Sequence, residues 1–143
     1  MKKLIFLLTI VITVCCIPVS YAKAECKVYD DVVVVKDGEE LDFKISVIQD
    51  GSKKLVPLRS IFELYNISVG WDEKRSIITS TALGSCMLSI GSDLVIYGGS
   101  NYYWMETYAR LHNGVTMIPV SFAEYCLGIK LNFIDVSNTL IIL

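Results

Sequence analysis

The sequence predicts an α+β fold, antiparallel sheet packed on helices, built as two pseudo-repeats that each hold one short helix and β-hairpins. Three observations predict it. Laid on itself with a shift of 62 residues, the chain places Val56-Pro57-Leu58 on Ile118-Pro119-Val120, Leu64 on Cys126, Ile67 on Ile129, Val69 on Leu131 and Trp71 on Phe133. After each proline the apolar residues recur at three and four and then switch to every second position, which is a helix followed by a strand. Strand-like segments bounded by turns outnumber helices, so too few helices exist to cover both faces of a parallel sheet.

The elements follow in order. Val32 to Val35 leads into Asp37-Gly38, a hairpin signal. Pro57 has no amide proton to lose and a preset backbone angle, which suits a first helical turn; Leu58, Ile61, Leu64 and Tyr65 then mark one helical face. Asn66 tolerates the left-handed conformation that ends a helix. Ile67, Val69 and Trp71 share one face of a half-buried strand, Asp72-Glu73-Lys74-Arg75 is a turn, and Ile77 to Thr81 returns. The second unit repeats the pattern. Met87 to Ile90 links the halves, Leu94 to Tyr97 precedes Gly98-Gly99, and Asn113-Gly114 is a tight turn. Pro119 opens a helix with Val120, Ala123, Cys126 and Leu127 on one face, and Gly128 ends it. Ile129, Leu131 and Phe133 form a strand face, Asp135-Val136-Ser137-Asn138 turns, and Leu140 to Leu143 closes the hairpin. The units run from about 28 to 83 and from about 84 to 143.

Thirteen Lys plus Arg against fifteen Asp plus Glu leave a formal charge of -2, so the counterion release that drives nucleic-acid binding has no source. Lys2 and Lys3 precede an uncharged apolar run, Leu4 to Val19, and Ala22-Lys23-Ala24 offers small residues at a cleavage site. Residues 1–24 therefore read as a signal peptide and residues 25–143 as the mature chain, with a cut after Ala22 as the alternative. The run is short of the ~20 residues that cross a bilayer, so no stable membrane span is expected after cleavage. Retention as an anchor is the other reading. Lipidation at Cys15 is disfavoured because Val14 precedes it. Without Lys2, Lys3 and Lys23 the balance is ten basic against fifteen acidic, or -5. The expected location is extracellular, secreted or associated with the cell envelope.

Cys26, Cys86 and Cys126 remain, an odd number that permits one internal disulfide and leaves its pairing open. Cys86 alternates with Leu88 and Ile90, and Cys126 falls on a helical core position, so both are expected to be buried. His112 precedes a tight turn and has no ligand spacing of the CxxC or HxxxH kind around it. No metal, no cofactor and no catalytic set is expected. Asp30-Asp31 and Glu39-Glu40 read as solvated turns rather than calcium ligands.

Tyr102-Tyr103-Trp104-Met105, with Tyr108 beyond, is the densest aromatic run and has no aromatic counterpart in the first unit. Neighbours on a strand point to opposite faces, so Tyr103 and Met105 face one way and Tyr102 and Trp104 the other. Exposed rings could stack on sugars or seat a partner protein. Arg59 and Glu63, four apart on a helix, share a face and suit an ion pair of about 0.3–0.5 kcal/mol, with Arg59 as a second candidate ligand contact.

Leu55-Val56-Pro57-Leu58-Arg59-Ser60-Ile61-Phe62-Glu63 and Val69-Gly70-Trp71-Asp72 resemble the copper amine oxidase N-terminal-like domain of secreted bacterial proteins, and Met117 to Phe122 with Gly128 to Leu131 form a looser copy. The motif residues are Pro57, Arg59, Glu63, Asn66, Trp71, Asp72, Pro119, Gly128 and Phe133. The resemblance implies a stalk-like, non-catalytic envelope module without copper chemistry, because in the oxidases the histidine-bound metal and the tyrosine-derived cofactor lie in a separate catalytic domain. Ser121 stands where the second unit usually carries Arg, and Tyr125 where it carries Glu.

The expected function is an exported, non-enzymatic binding or stalk module that contacts a cell-wall glycan or another exported protein. The alternatives are a small thiol-dependent hydrolase or redox protein using Cys26 or His112, and a dimerising stalk.

Overall fold

The computed structural model describes residues 25–72 and 77–143. The expected signal peptide, Cys15 and Cys16, and the expected turn at Glu73, Lys74 and Arg75 lie outside the described residues.

The chain is mostly strand. Its elements are β1 (Cys26–Lys36), β2 (Glu39–Asp50), β3 (Lys53–Pro57), α1 (Leu58–Glu63), β4 (Val69–Asp72), β5 (Ile77–Ser80), a 3₁₀ turn (Ala82–Gly84), β6 (Cys86–Leu88), β7 (Leu94–Tyr97), β8 (Asn101–Trp104), β9 (Arg110–His112), β10 (Val115–Pro119), α2 (Val120–Leu127), β11 (Leu131–Ile134) and β12 (Thr139–Ile142). They form a seven-stranded sheet ordered β11-β12-β1-β2-β3-β10-β9 and a five-stranded sheet ordered β4-β5-β6-β7-β8.

The two proline-led segments meet in the larger sheet, one strand in from its β9 edge, where β3 and β10 run antiparallel with Val56 opposite Ile118 and Leu55 opposite Pro119. Both prolines close their strand rather than occupy the first helical turn: Pro57 (φ -65°, ψ 120°) and Pro119 (φ -58°, ψ 141°) are extended and cap the helix that follows. An extended ψ is what permits a residue to finish a ladder on one side and begin a helix on the other. The helix ends differ. Asn66 is left-handed at φ 57°, with Ile67 N–H bonded to the Phe62 carbonyl and Asn66 N–H to that of Glu63, which is a Schellman closure. Gly128 (φ 66°) instead makes a single bond from its N–H to the Glu124 carbonyl, 2.9 Å.

One ladder departs from the antiparallel expectation. β12 pairs with β1 in parallel, Val33 to Lys36 against Thr139 to Ile142, while it pairs antiparallel with β11 on its other side. The carboxy-terminal hairpin thus extends the larger sheet, whereas the corresponding hairpin β4–β5 belongs to the smaller one. A bulge in β1 between Tyr29 and Val32 leaves Asp31 at φ 54°.

Both sheets and both helices supply one core: Val32, Val34, Val47, Val56 and Ile118 from the larger sheet, Ile78, Leu88 and Val95 from the smaller, and Leu58, Ile61, Phe62, Phe122 and Ala123 from the helices. Leu131 and Phe133 are buried on β11. Trp71 is not. Ile67 and Val69 are half-buried, but Trp71 is 53% exposed, because β4 is the outermost strand of its sheet.

Candidate functional site

The five-stranded sheet turns one face to the core and one to solvent. Ile78, Leu88 and Val95 form the inward row, which Tyr103 continues. The outward row runs Thr79, Met87, Ile96, Tyr102 across four strands, with Leu94 and Trp104 paired beside it. From β5 to β8 this face carries no charged side chain. Tyr102 and Trp104 are 64% and 66% exposed at its edge, while Met105 is buried. Alternation along one strand therefore separates the aromatic run into two roles.

Tyr103 packs inward, 5.4 Å from Phe122 and stacked on Tyr125 at 4.5 Å between ring centroids. Tyr125 in turn shares a 2.9 Å hydroxyl hydrogen bond with Tyr97, which raises its pKa. Tyr97 and Tyr125 were not singled out from the sequence; the empty place of the usual second-unit Glu at Tyr125 was the available signal. Glu124 is the other unforeseen contributor, accepting a hydrogen bond from Leu131 N–H at 2.8 Å and so fixing the start of β11 on the end of α2. Tyr108 lies on the connection between β8 and β9, 47% exposed, with the Arg110 guanidinium 4.6 Å from its ring.

Arg59 is placed elsewhere. Its Nη1 lies 3.2 Å from Glu63 Oε1 on the exposed side of α1. It lines a groove of about 430 Å³ with Trp71 of β4, Leu111 of β9 and Val115 of β10. A second groove of about 420 Å³ holds His112, Asp30, Asp31 and Lys44. Ser46 Oγ donates to Asp30 there at 2.7 Å. Ser60 and Val115 line both grooves.

The three cysteines among the described residues are free, Cys26 exposed, Cys86 buried and Cys126 half-buried. Burial pushes the Cys86 thiol up to about 11; burial and the neighbouring Cys86 push Cys126 up to about 12. Neither is an activated thiolate, and among the described residues no cysteine lines the groove that holds His112. Among the described residues no group of three or more His, Cys, Asp or Glu is placed to hold a metal ion. These residues do not fit a copper centre. Among them, too, no helix is long and apolar enough to cross a membrane.

The family of copper amine oxidase N-terminal domains matches residues 35–142, most of the chain. The chain belongs to that family. This domain is a non-catalytic, stalk-type part of the oxidases, and the match spans both helices and both sheets of the fold described above. No curated protein and no solved structure matches the chain significantly.

Proposed function

We propose that this copper amine oxidase N-terminal domain is an exported, non-catalytic binding module. It contacts a cell-wall glycan or another exported protein through the outward face of its five-stranded sheet. The observation that carries the reading is the uncharged face ending in Tyr102 and Trp104, two large rings left mostly in water. Residues two apart on a strand are about 6.7 Å apart, a spacing at which two rings can seat successive units of a chain-like ligand. The leader-like residues 1–24 support export. Among the described residues no cysteine lines the groove that holds His112, which argues against a paired Cys-His centre.

The duplication read in the sequence belongs to this proposal. Its support is the shared order of a strand ending in proline, a helix and a hairpin, and the direct pairing of β3 with β10.

The test uses the mature chain with Tyr102 and Trp104 intact or both replaced by Ala. Co-sedimentation with purified cell-wall sacculi that is lost in the double variant supports the glycan contact. Failure to sediment, together with cross-links from a photoreactive group at position 104 to a defined envelope protein, supports the protein contact. If neither depends on these side chains, the reading fails. A doubled mass in light scattering that the double variant abolishes would favour the dimerising stalk.

A further inference from the structure

The groove beside Arg59 lies between the open edges of the two sheets. β4 is the outermost strand of one sheet and β9 of the other, and both line it. The direction of their backbone groups follows from the ladders. Thr81 N–H bonds to the Ser68 carbonyl at 3.2 Å, and in an antiparallel pair successive residues turn toward and away from the partner strand. Gly70 therefore faces β5, and the N–H and C=O of Val69 and Trp71 point away from it. On β9 the two-residue Asn113-Gly114 turn (φ 48° and 77°) makes His112 and Val115 a hydrogen-bonded pair. Leu111, opposite Thr116, then turns its own N–H and C=O to the free edge. Val69, Trp71 and Leu111 all line the groove, and their main-chain groups have no partner among the described residues.

Unpaired main-chain donors and acceptors along a strand edge are a template for another extended chain. We propose that this groove binds an extended peptide segment of a separate polypeptide, added as a strand on β4. The walls select its side chains. Val69, Trp71, Ile78, Ile90, Leu111 and Val115 are apolar, and at about 430 Å³ the groove has the size of a ligand site. Among the described residues Arg59 is the one charged member of the lining, and its guanidinium keeps donors beyond the one aimed at Glu63. A segment with alternating apolar side chains and a carboxylate at one end matches that set; a cationic one does not. This site is separate from the Tyr102–Trp104 face and does not depend on it.

The experiment titrates the mature chain with an equimolar pool of labelled heptapeptides, alternating Val, Ile or Leu with Thr or Ser and ending in a free carboxylate. Saturable binding with a shift in Trp71 emission is expected. N-methylation of alternate peptide amides removes the ladder donors and leaves the side chains, and is expected to weaken binding at least about tenfold. Val69→Pro deletes an N–H that no ladder bond uses, so binding falls by a similar factor while the thermal midpoint stays in place. Tyr102→Ala with Trp104→Ala leaves peptide binding unchanged. No binding of the pool, or binding indifferent to N-methylation, overturns the proposal. So does a wall oligosaccharide competing for Trp71, or a doubled mass abolished by Val69→Pro, which would give the groove to a second copy.

Discussion

Phe62 of α1 and Phe122 of α2 meet with ring centroids 6.5 Å apart and no exposure to solvent. Each follows its proline by a few residues, so the β3–β10 ladder and the ring contact fix the two helices against one another. Tyr103 packs on Phe122 from the second sheet at 5.4 Å, which joins three layers at one side chain. Phe122→Ala is expected to cost about 3–5 kcal/mol, measured by urea denaturation. Loss of Tyr103 packing should also reduce the near-ultraviolet circular dichroism of the native state.

Asn138 fastens the last hairpin to the first strand. Its side chain donates to the Asp30 carbonyl at 2.8 Å, its own carbonyl accepts from Val33 N–H at 3.0 Å, and its φ is 51°. Asn138→Ala loses the side-chain bond and carries the left-handed strain, for about 1–3 kcal/mol in all. Asn138→Gly loses only the bond. The glycine variant is therefore expected to melt above the alanine variant.

The buried thiols make stability depend on alkaline pH. Folding keeps Cys86 and Cys126 protonated to about 11 and about 12, above the ordinary 9.0. Above pH 9 the unfolded chain releases protons that the folded chain retains, so stability falls as pH rises from 9 toward 11–12 and is flat with respect to these groups below 9. The denaturation midpoint should drop over that window, and by less when both are replaced by Ala. Iodoacetamide at pH 8 should modify Cys26 first, with Cys86 and Cys126 reacting on denaturation.

Leu140 is wholly buried and Ile142 nearly so, and β12 stands between β1 and β11. Deletion of residues 140–143 removes both side chains and detaches β11 from the sheet. The shortened chain should lack a cooperative thermal transition; a midpoint within a few degrees of the full-length value would contradict this role.

The parts legible in the sequence were those set by local chemistry. Pro57 and Pro119 announce their helices because the ring fixes φ, Asp37-Gly38 and Asn113-Gly114 announce hairpins because their turns need positive φ, and alternation separates Tyr102 and Trp104 from Tyr103. Pairing at long range left no such mark. Nothing local in Val33 to Lys36 says that Thr139 to Ile142 will lie beside it in parallel, or that β4–β5 will join a different sheet from β11–β12. Trp71 read as half-buried because its periodicity matches Phe133, yet burial depends on a neighbouring strand that β4 lacks on one side. The Tyr103–Tyr125 stack and the groove edges at Val69 and Leu111 were invisible for the same reason: each requires two segments brought together by the fold.

The parallel union of β1 with β12 has a mechanical consequence. Tension applied between the amino end of β1 and the carboxy end of β12 slides the two strands past each other, so the bonds from Val33 to Lys36 are loaded together in shear and must break at once. Peeled from one end, they would fail singly at low force. Stretching a single molecule by its ends should give one high rupture peak, and a tethered domain built this way would hold its shape under load.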